Sequence, residues 1–309
     1  MKILVTGATG FVGRWLIRDL QAAGHEAIGT PGSAELDITD EAAVAAFAAS
    51  IRPDTIAHLA GMSYGPDARR DPERAMAINE GGTRSVMLAA AGAAGTGSAP
   101  VPVLIVSSSE VYGDPAPADL PLRESAPLAT NQPYGLSKLA EERVAFELAA
   151  SERIPLVVAR AFNHAGPGQR EAFVIPALAA RLVAAVESGN RTIKAGNVDV
   201  RRDFTDVRDV VRAYYLLLKE GKKGQVYNVC SGIGLSIKDI IDIMAKQLNI
   251  EVDINIDNRL IRPADNKKII GSNEKIKREL GWQNNIPLEQ SLKDINTWTL
   301  DSYNINSRP

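Results

Sequence analysis

A single cysteine, Cys230, stands among 309 residues, so no disulfide can close within the chain, and a cytoplasmic, reducing setting is expected. Histidine is also scarce. His25, His58 and His164 lie far apart in sequence, no His/Cys cluster is present, and no metal is expected. No apolar run approaches the roughly 20 residues that a membrane-spanning helix needs. The opening Met1-Lys2-Ile3-Leu4-Val5 runs straight into a glycine turn, which reads as a strand rather than a secretory signal. A net charge of −2 and a pI near 6.0 give the surface no strong field of one sign, so neither nucleic acid nor an anionic membrane is an expected partner. Lysine is nearly missing up to residue 190, where only Lys2 and Lys138 occur; from Lys194 onward Lys, Ile and Asn become common. Ordinary variation between two domains accounts for that shift. So does the joining of two parents of different coding bias near residues 186–194, an idea that one natural gene carrying both halves would remove.

Strands and helices alternate over residues 1–165. Apolar strands are expected at Lys2–Thr6, Glu26–Thr30, Thr55–Ala60, Val103–Val106 and Leu156–Arg160. Helices are expected after Gly13, up to Ser50 with Thr39 or Asp40 as N-cap, over residues 73–93, and around Tyr134. This alternation predicts an α/β protein with a doubly wound parallel sheet in residues 1–165, completed by about 205–229. Residues 166–204 and 230–309 alternate less regularly and should form a smaller C-terminal α/β domain closing over the carboxyl edge of the sheet.

Gly7, Gly10 and Gly13 fall between the first strand and the first helix. Backbone N–H groups and the helix dipole there suit a pyrophosphate: Gly7 permits the turn, Gly10 the close approach, and Gly13 the contact of helix with strand. Where the second strand ends, Thr30-Pro31-Gly32-Ser33 lacks the carboxylate that holds a ribose diol. This favours NADP(H) over NAD(H), with Arg14 either a phosphate ligand or a plain surface residue. Asp37 reads equally as a partner of the adenine amino group and as a turn residue. Small residues near Leu59 and Ala60 would let backbone pass close to a cofactor, and Asn79, polar within a helix, needs a partner and is expected to brace the active-site backbone.

Ser107-Ser108-Ser109-Glu110 follows the strand at Val103, at the sheet end where open α/β folds bind ligands. Glu124 reads as loop. Tyr134 and Lys138 are four residues apart and share a helix face. A neighbouring ammonium favours the phenolate and should draw the phenol below its ordinary pKa of about 10, toward useful acid/base work.

The ordered set of glycine turn, Ser108 and Tyr134-x-x-x-Lys138 resembles the extended short-chain dehydrogenase/reductase family over nearly the whole chain. The resemblance implies a Rossmann-type fold, with Ser108 and Tyr134 on the substrate oxygen and Lys138 on the nicotinamide ribose. It also places Phe11, Val12, Ile38, Leu59 and Ala60 with the glycines, Asp37, Tyr134 and Lys138 around the cofactor. Arg160–Gln169, Gly196–Val207, Arg262-Pro263, Asn228–Gly234 and Ile270–Asn273 are similar to its nucleotide-sugar branch, and to GDP-sugar members in particular. This likeness implies Asn163, Arg202 and Arg262 at the sugar diphosphate, where planar, always-charged forks are apt. Arg201 reads as a solvated neighbour, Asp206 as the cap of a helix over Val207–Leu218, and Trp282 as domain packing. The implied activity is NAD(P)H-dependent reduction of the 4-keto group of a GDP-4-keto-6-deoxyhexose, giving a GDP-D-rhamnose-type product. Glu110 keeps open a 4,6-dehydratase or epimerase, since GDP-mannose dehydratases place a carboxylate there; a turnover-free NADP-binding sensor is the non-enzymatic alternative. A homodimer through the helices near 79–95 and 134–150 is also implied.

Overall fold

The computed structural model describes residues 1–93, 99–261 and 268–306. The first half alternates as its hydrophobic pattern dictates: β1 (Lys2–Thr6), α1 (Phe11–Ala22), β2 (Glu26–Gly29), α2 (Glu41–Ile51), β3 (Thr55–His58), α3 (Gly65–Arg70), α4 (Pro72–Met76), α5 (Gly82–Gly92), β4 (Val103–Ser108), α6 (Pro133–Ser151) and β5 (Leu156–Ala161). Asp40 caps α2 by accepting from the Ala43 N–H at 2.9 Å. The helix expected over 73–93 is interrupted: a π turn at Ala77–Gly81 separates α4 from α5. Strand β4 runs two residues beyond its expected end. Ser107 and Ser108 therefore belong to the sheet, where they pair with Arg160 and Ala161 of β5.

The chain then makes β6 (Asn163–Ala165), α7 (Val174–Ser188), β7 (Thr192–Ala195), β8 (Arg201–Asp206), α8 (Val207–Glu220), β9 (Gln225–Val229), β10 (Gly234–Ser236), α9 (Ile237–Gln247), β11 (Asp253–Ile256), β12 (Lys268–Ile269), α10 (Glu274–Leu280) and α11 (Leu288–Asn306). Asp206 caps α8, its carboxylate accepting from the Arg208 N–H at 2.8 Å.

Six parallel strands form the main sheet in the order β2-β1-β3-β4-β5-β9. Both faces are covered, as a sheet of Val, Ile, Leu and Ala requires; β5 is buried along its whole length. The strand order reverses between β1 and β3, which opens a crevice at the carboxyl edge where such folds bind ligands. Register aligns that edge: Thr6 pairs with His58, Ser108 with Ala161, and Ala161 with Val229.

The smaller lobe has its own sheets, β10-β8-β12 with β6 beside β8, and the pair β11-β7. Its core joins Leu178 and Leu182 of α7 to Ile240 and Met244 of α9 and to Leu292 and Ile295 of α11. Trp282 packs instead in the core of the main sheet, with Ile276 of α10 and Tyr214 and Leu217 of α8, and its Nε1–H donates to the Asp209 carbonyl at 3.0 Å.

Candidate active site

Proline at the first position of α6 is compatible with a helix start and places Tyr134 in the first turn, with Lys138 one turn later. The Ser108 side chain lies close enough to the Tyr134 phenol to lower its pKa, and both line the same cavity. Lys138 is 5% exposed; its ammonium donates to the Val106 carbonyl at 2.9 Å and to Glu141 Oε2 at 2.6 Å. Glu110 lies in the turn after β4, where its N–H donates to Ser108 Oγ at 3.2 Å.

The electrostatics differ from the simple pairing expected of Tyr134 and Lys138. Burial raises the phenol's pKa; Lys138 and the Ser108 side chain pull it down, while Glu141 and Glu110 push it up again. The net shift is upward, against the expected lowering. Two features that spacing does not reveal explain this: the phenol is desolvated, and a carboxylate already neutralises the ammonium. For Lys138 itself, burial disfavours the charge, but Glu141, Tyr134 and Glu142 outweigh it and the pKa rises.

Asn79 sits in the π turn and does brace the site. Its Oδ1 accepts from the Met62 N–H at 2.7 Å, and its Nδ2 donates to the Met62 carbonyl at 3.1 Å and to Ser137 Oγ at 2.8 Å. The glycine turn lies across the β1/β3 crevice. Gly7 has φ +69°, and a Cβ there would lie 2.8 Å from the Ala60 nitrogen; one on Gly13 would overlap the Gly7 carbonyl oxygen. The backbone at Leu59 and Ala60 is fixed in turn by Thr6, whose hydroxyl accepts from both N–H groups at 3.2 and 3.1 Å. With both acceptor positions used, that hydroxyl donates to His58 Nδ1 at 2.7 Å, so His58 carries its proton on Nε2 and donates to Thr83 Oγ1 at 3.0 Å.

One cavity of about 1140 Å³ gathers most of the expected residues. Gly7, Gly10, Phe11, Val12, Gly13, Asp37, Ile38, Leu59 and Ala60 line it together with Ser108, Glu110, Tyr134 and Lys138, and with Asn163 and Arg202. Arg14, Thr30, Pro31 and Ser33 also line it, and Arg14 donates to the Thr9 carbonyl at 2.8 Å. The cradle fits a dinucleotide: its glycines leave room for backbone to approach a pyrophosphate, and no carboxylate ends β2. Asp37 holds a turn, one oxygen accepting from the Thr39 N–H and hydroxyl at 2.9 and 2.8 Å. Arg262 lies outside the described residues.

Several participants have no motif to announce them. Ser107 Oγ donates to Glu142 at 2.6 Å, and Arg160 grips both oxygens of Glu142 at 2.9 and 2.8 Å. Arg160 also donates to the Tyr112 hydroxyl and to the Glu124 carbonyl, each at 3.1 Å. Glu124 is more than loop, since its carboxylate accepts from the Asn228 N–H at 2.9 Å. Tyr64, which follows β3, meets Phe173 at the start of α7 edge to face, with ring centroids 5.3 Å apart, and both line the cavity. Glu141 and Glu142 lie three and four residues beyond Lys138, a helical spacing that was legible; nothing in the spacing distinguishes a buried carboxylate from a solvated one.

Comparison with known proteins matches this arrangement. The chain is 38% identical to the GDP-6-deoxy-D-mannose reductase of Pseudomonas aeruginosa, over 95% of both chains. It is 29% identical to the GDP-6-deoxy-D-talose 4-dehydrogenase of Aggregatibacter actinomycetemcomitans, over 91% of this chain and 92% of that one. Among solved structures it superposes on RMD from Pseudomonas aeruginosa complexed with NADPH with a TM-score of 0.87 and 35% identity, covering 98% of this chain and all of that one. The model of the NAD dependent epimerase/dehydratase family matches residues 3–230, and the chain belongs to that family.

Proposed function

We propose that this protein is an NADPH-dependent reductase acting on the 4-keto group of a GDP-4-keto-6-deoxyhexose. One observation carries the reading: Ser108, Tyr134 and Lys138 meet in the same cavity as a glycine cradle with no acid at the end of β2, in a chain 38% identical to a GDP-6-deoxy-D-mannose reductase. When bound, the reduced nicotinamide supplies a hydride. The rest falls to the chain. Ser108 donates a hydrogen bond to the C4 oxygen, and Tyr134 gives that oxygen its phenolic proton as it becomes a hydroxyl. Lys138 has committed two of its three donors to Val106 and Glu141, which leaves one for the ribose. Asn163 and Arg202 hold the diphosphate, and Arg14 meets the 2′-phosphate of the cofactor. Two copies pair through α5 and α6, a state that sedimentation measures directly.

The decisive assay supplies GDP-4-keto-6-deoxymannose with NADPH, follows NADPH oxidation and identifies the sugar. Stoichiometric oxidation with a GDP-6-deoxyhexose product supports the reductase and identifies the C4 epimer. Conversion of GDP-mannose to the 4-keto sugar without added cofactor would instead assign Glu110 as the base of a dehydratase. Tight NADPH binding with no turnover of either sugar would leave the sensor.

A further inference from the structure

Glu141 has no part in the reaction as derived so far, yet it is among the most unusual side chains in the cleft wall. It is 1% exposed, its Oε2 lies 2.6 Å from Lys138 Nζ, and its Oε1 has no hydrogen-bond partner among the described residues. A carboxylate buried with one oxygen unsatisfied is costly to retain, and a neutral residue could fill the space. Its neighbour Glu142 is different: both of its oxygens are saturated by Ser107 and Arg160, so its role is in the framework. We propose that Glu141 is a positioning residue which, through its buried ion pair with Lys138, withholds much of the ammonium's charge from Tyr134 and so keeps the phenol loaded with its proton. The inference rests on the reading above, in which Tyr134 is the proton donor.

A lone ammonium near a phenol favours the phenolate by roughly 1–3 pK units, which suits an enzyme that must remove a proton. A reductase needs the opposite state, a phenol that still holds its proton when the carbonyl arrives. With Glu141 beside the ammonium, Tyr134 faces a short dipole instead of a net charge. The charged and titratable groups around the pair are few. Glu110 also bears on Tyr134, Tyr214 of α8 lies close to it, and Glu142 bears on both Lys138 and Glu141. His58 of β3 is held neutral, Arg160 of β5 is committed to Glu142, and Glu80 of the π turn meets Arg143 at 3.3 Å on the surface. Burial pushes Glu141 up to about 7 against the pull of Lys138. Its charge is therefore present on the alkaline side of neutrality, where the phenol would otherwise begin to ionise.

The test is Glu141→Gln, which keeps an acceptor for Lys138 and removes only the charge. Ultraviolet difference titration of Tyr134, read as each protein minus its own Tyr134→Phe partner, should show the phenol ionising at least about one pH unit lower in the variant. The alkaline limb of kcat/KM for reduction should move down by the same amount, with NADPH affinity unchanged. In a Lys138→Met background, the buried Glu141 loses the cation that keeps it charged, so Glu141→Gln should produce a clearly smaller further shift. A phenol that titrates unchanged or higher overturns the proposal, and so does a shift that is as large without Lys138. If Glu141→Gln fails to fold, Glu141→Asp should give a smaller shift of the same sign, and no shift there counts against it. Should the wild type reduce no GDP-4-keto sugar, the functional reading falls, while the spectroscopic titration still decides what Glu141 does to Tyr134.

Discussion

Tyr134 is pulled in opposite directions by the charges around it, and its chemistry follows from the balance. Because the phenol's pKa is raised, reduction should proceed unimpaired through neutrality and fall only as pH rises through that value. Tyr134→Phe should lower kcat by about 10²–10⁴-fold with little change in NADPH binding, read by steady-state kinetics beside fluorescence titration of the cofactor. Arg14→Ala should weaken NADPH roughly tenfold or more and leave NADH nearly unaffected, because one charge-assisted hydrogen bond contributes about 1.5–3 kcal/mol. His58 gives a stability effect with a definite sign. Burial first, and Lys138 second, push its pKa down to about 3, while the unfolded chain takes up that proton near 6.5. Between those values the unfolded state binds more protons, so stability is full above about 6.5 and is lost as pH falls toward 3. His58→Asn should therefore lose melting temperature less steeply than the wild type between about pH 6.5 and 5. The Tyr134–Lys138 pair was legible because its spacing is that of one helix turn. Glu141 was not, since Glu141-Glu142-Arg143 reads as an ordinary solvated face until the fold buries its first two members.

At the level of elements, local geometry carries the function. The glycine turn works because β1 ends where the strand order reverses and because α1 lies against Gly7 through Gly13. Gly13→Ala should abolish NADPH binding by forcing helix and turn apart, visible as loss of cofactor-induced thermal stabilisation. Strand β4, which carries Ser108, is held to α6 and β5 by the buried Ser107–Glu142–Arg160 set. Arg160→Met strands a buried carboxylate and should cost about 3–5 kcal/mol in urea denaturation. Alternating apolar strands made the sheet easy to read in the sequence. The π turn was not readable, because Ala77-Ile78-Asn79-Glu80-Gly81 has ordinary helical residues; the turn is stabilised by what Asn79 reaches, the Met62 backbone and Ser137. Likewise, the strand was expected to end at Val106, and the place of Ser107 and Ser108 in β4 depends on the partner strand.

Across the whole molecule, two cores face one cleft. A ligand that touches the folded cleft and not the unfolded chain should raise stability by about 2.7 kcal/mol at one hundred times its Kd, so above its Kd NADPH should lift the melting temperature with the logarithm of its concentration. The compositional change near residues 186–194 passes through the smaller core rather than around it: Leu178 and Leu182 precede it, and Ile240, Met244, Leu292 and Ile295 follow it. Whatever its origin, the two compositions meet in one continuous packing. The chain's path has a further consequence. After Ala161 it leaves the main sheet for β6 to β8, returns for α8 and β9, departs for β10 to β12, and comes back for α10 and Trp282 before ending in α11. Neither lobe is a contiguous piece of polypeptide. During synthesis the main sheet cannot gain its last strand until Val229 is made, nor its core close over Trp282 until later still, so a nascent chain must extend past Trp282 before that core is complete. The lobes therefore cannot be exchanged between relatives by a single crossover; grafting new sugar specificity would require several matched segments, each spliced at a point where the path crosses from one core to the other.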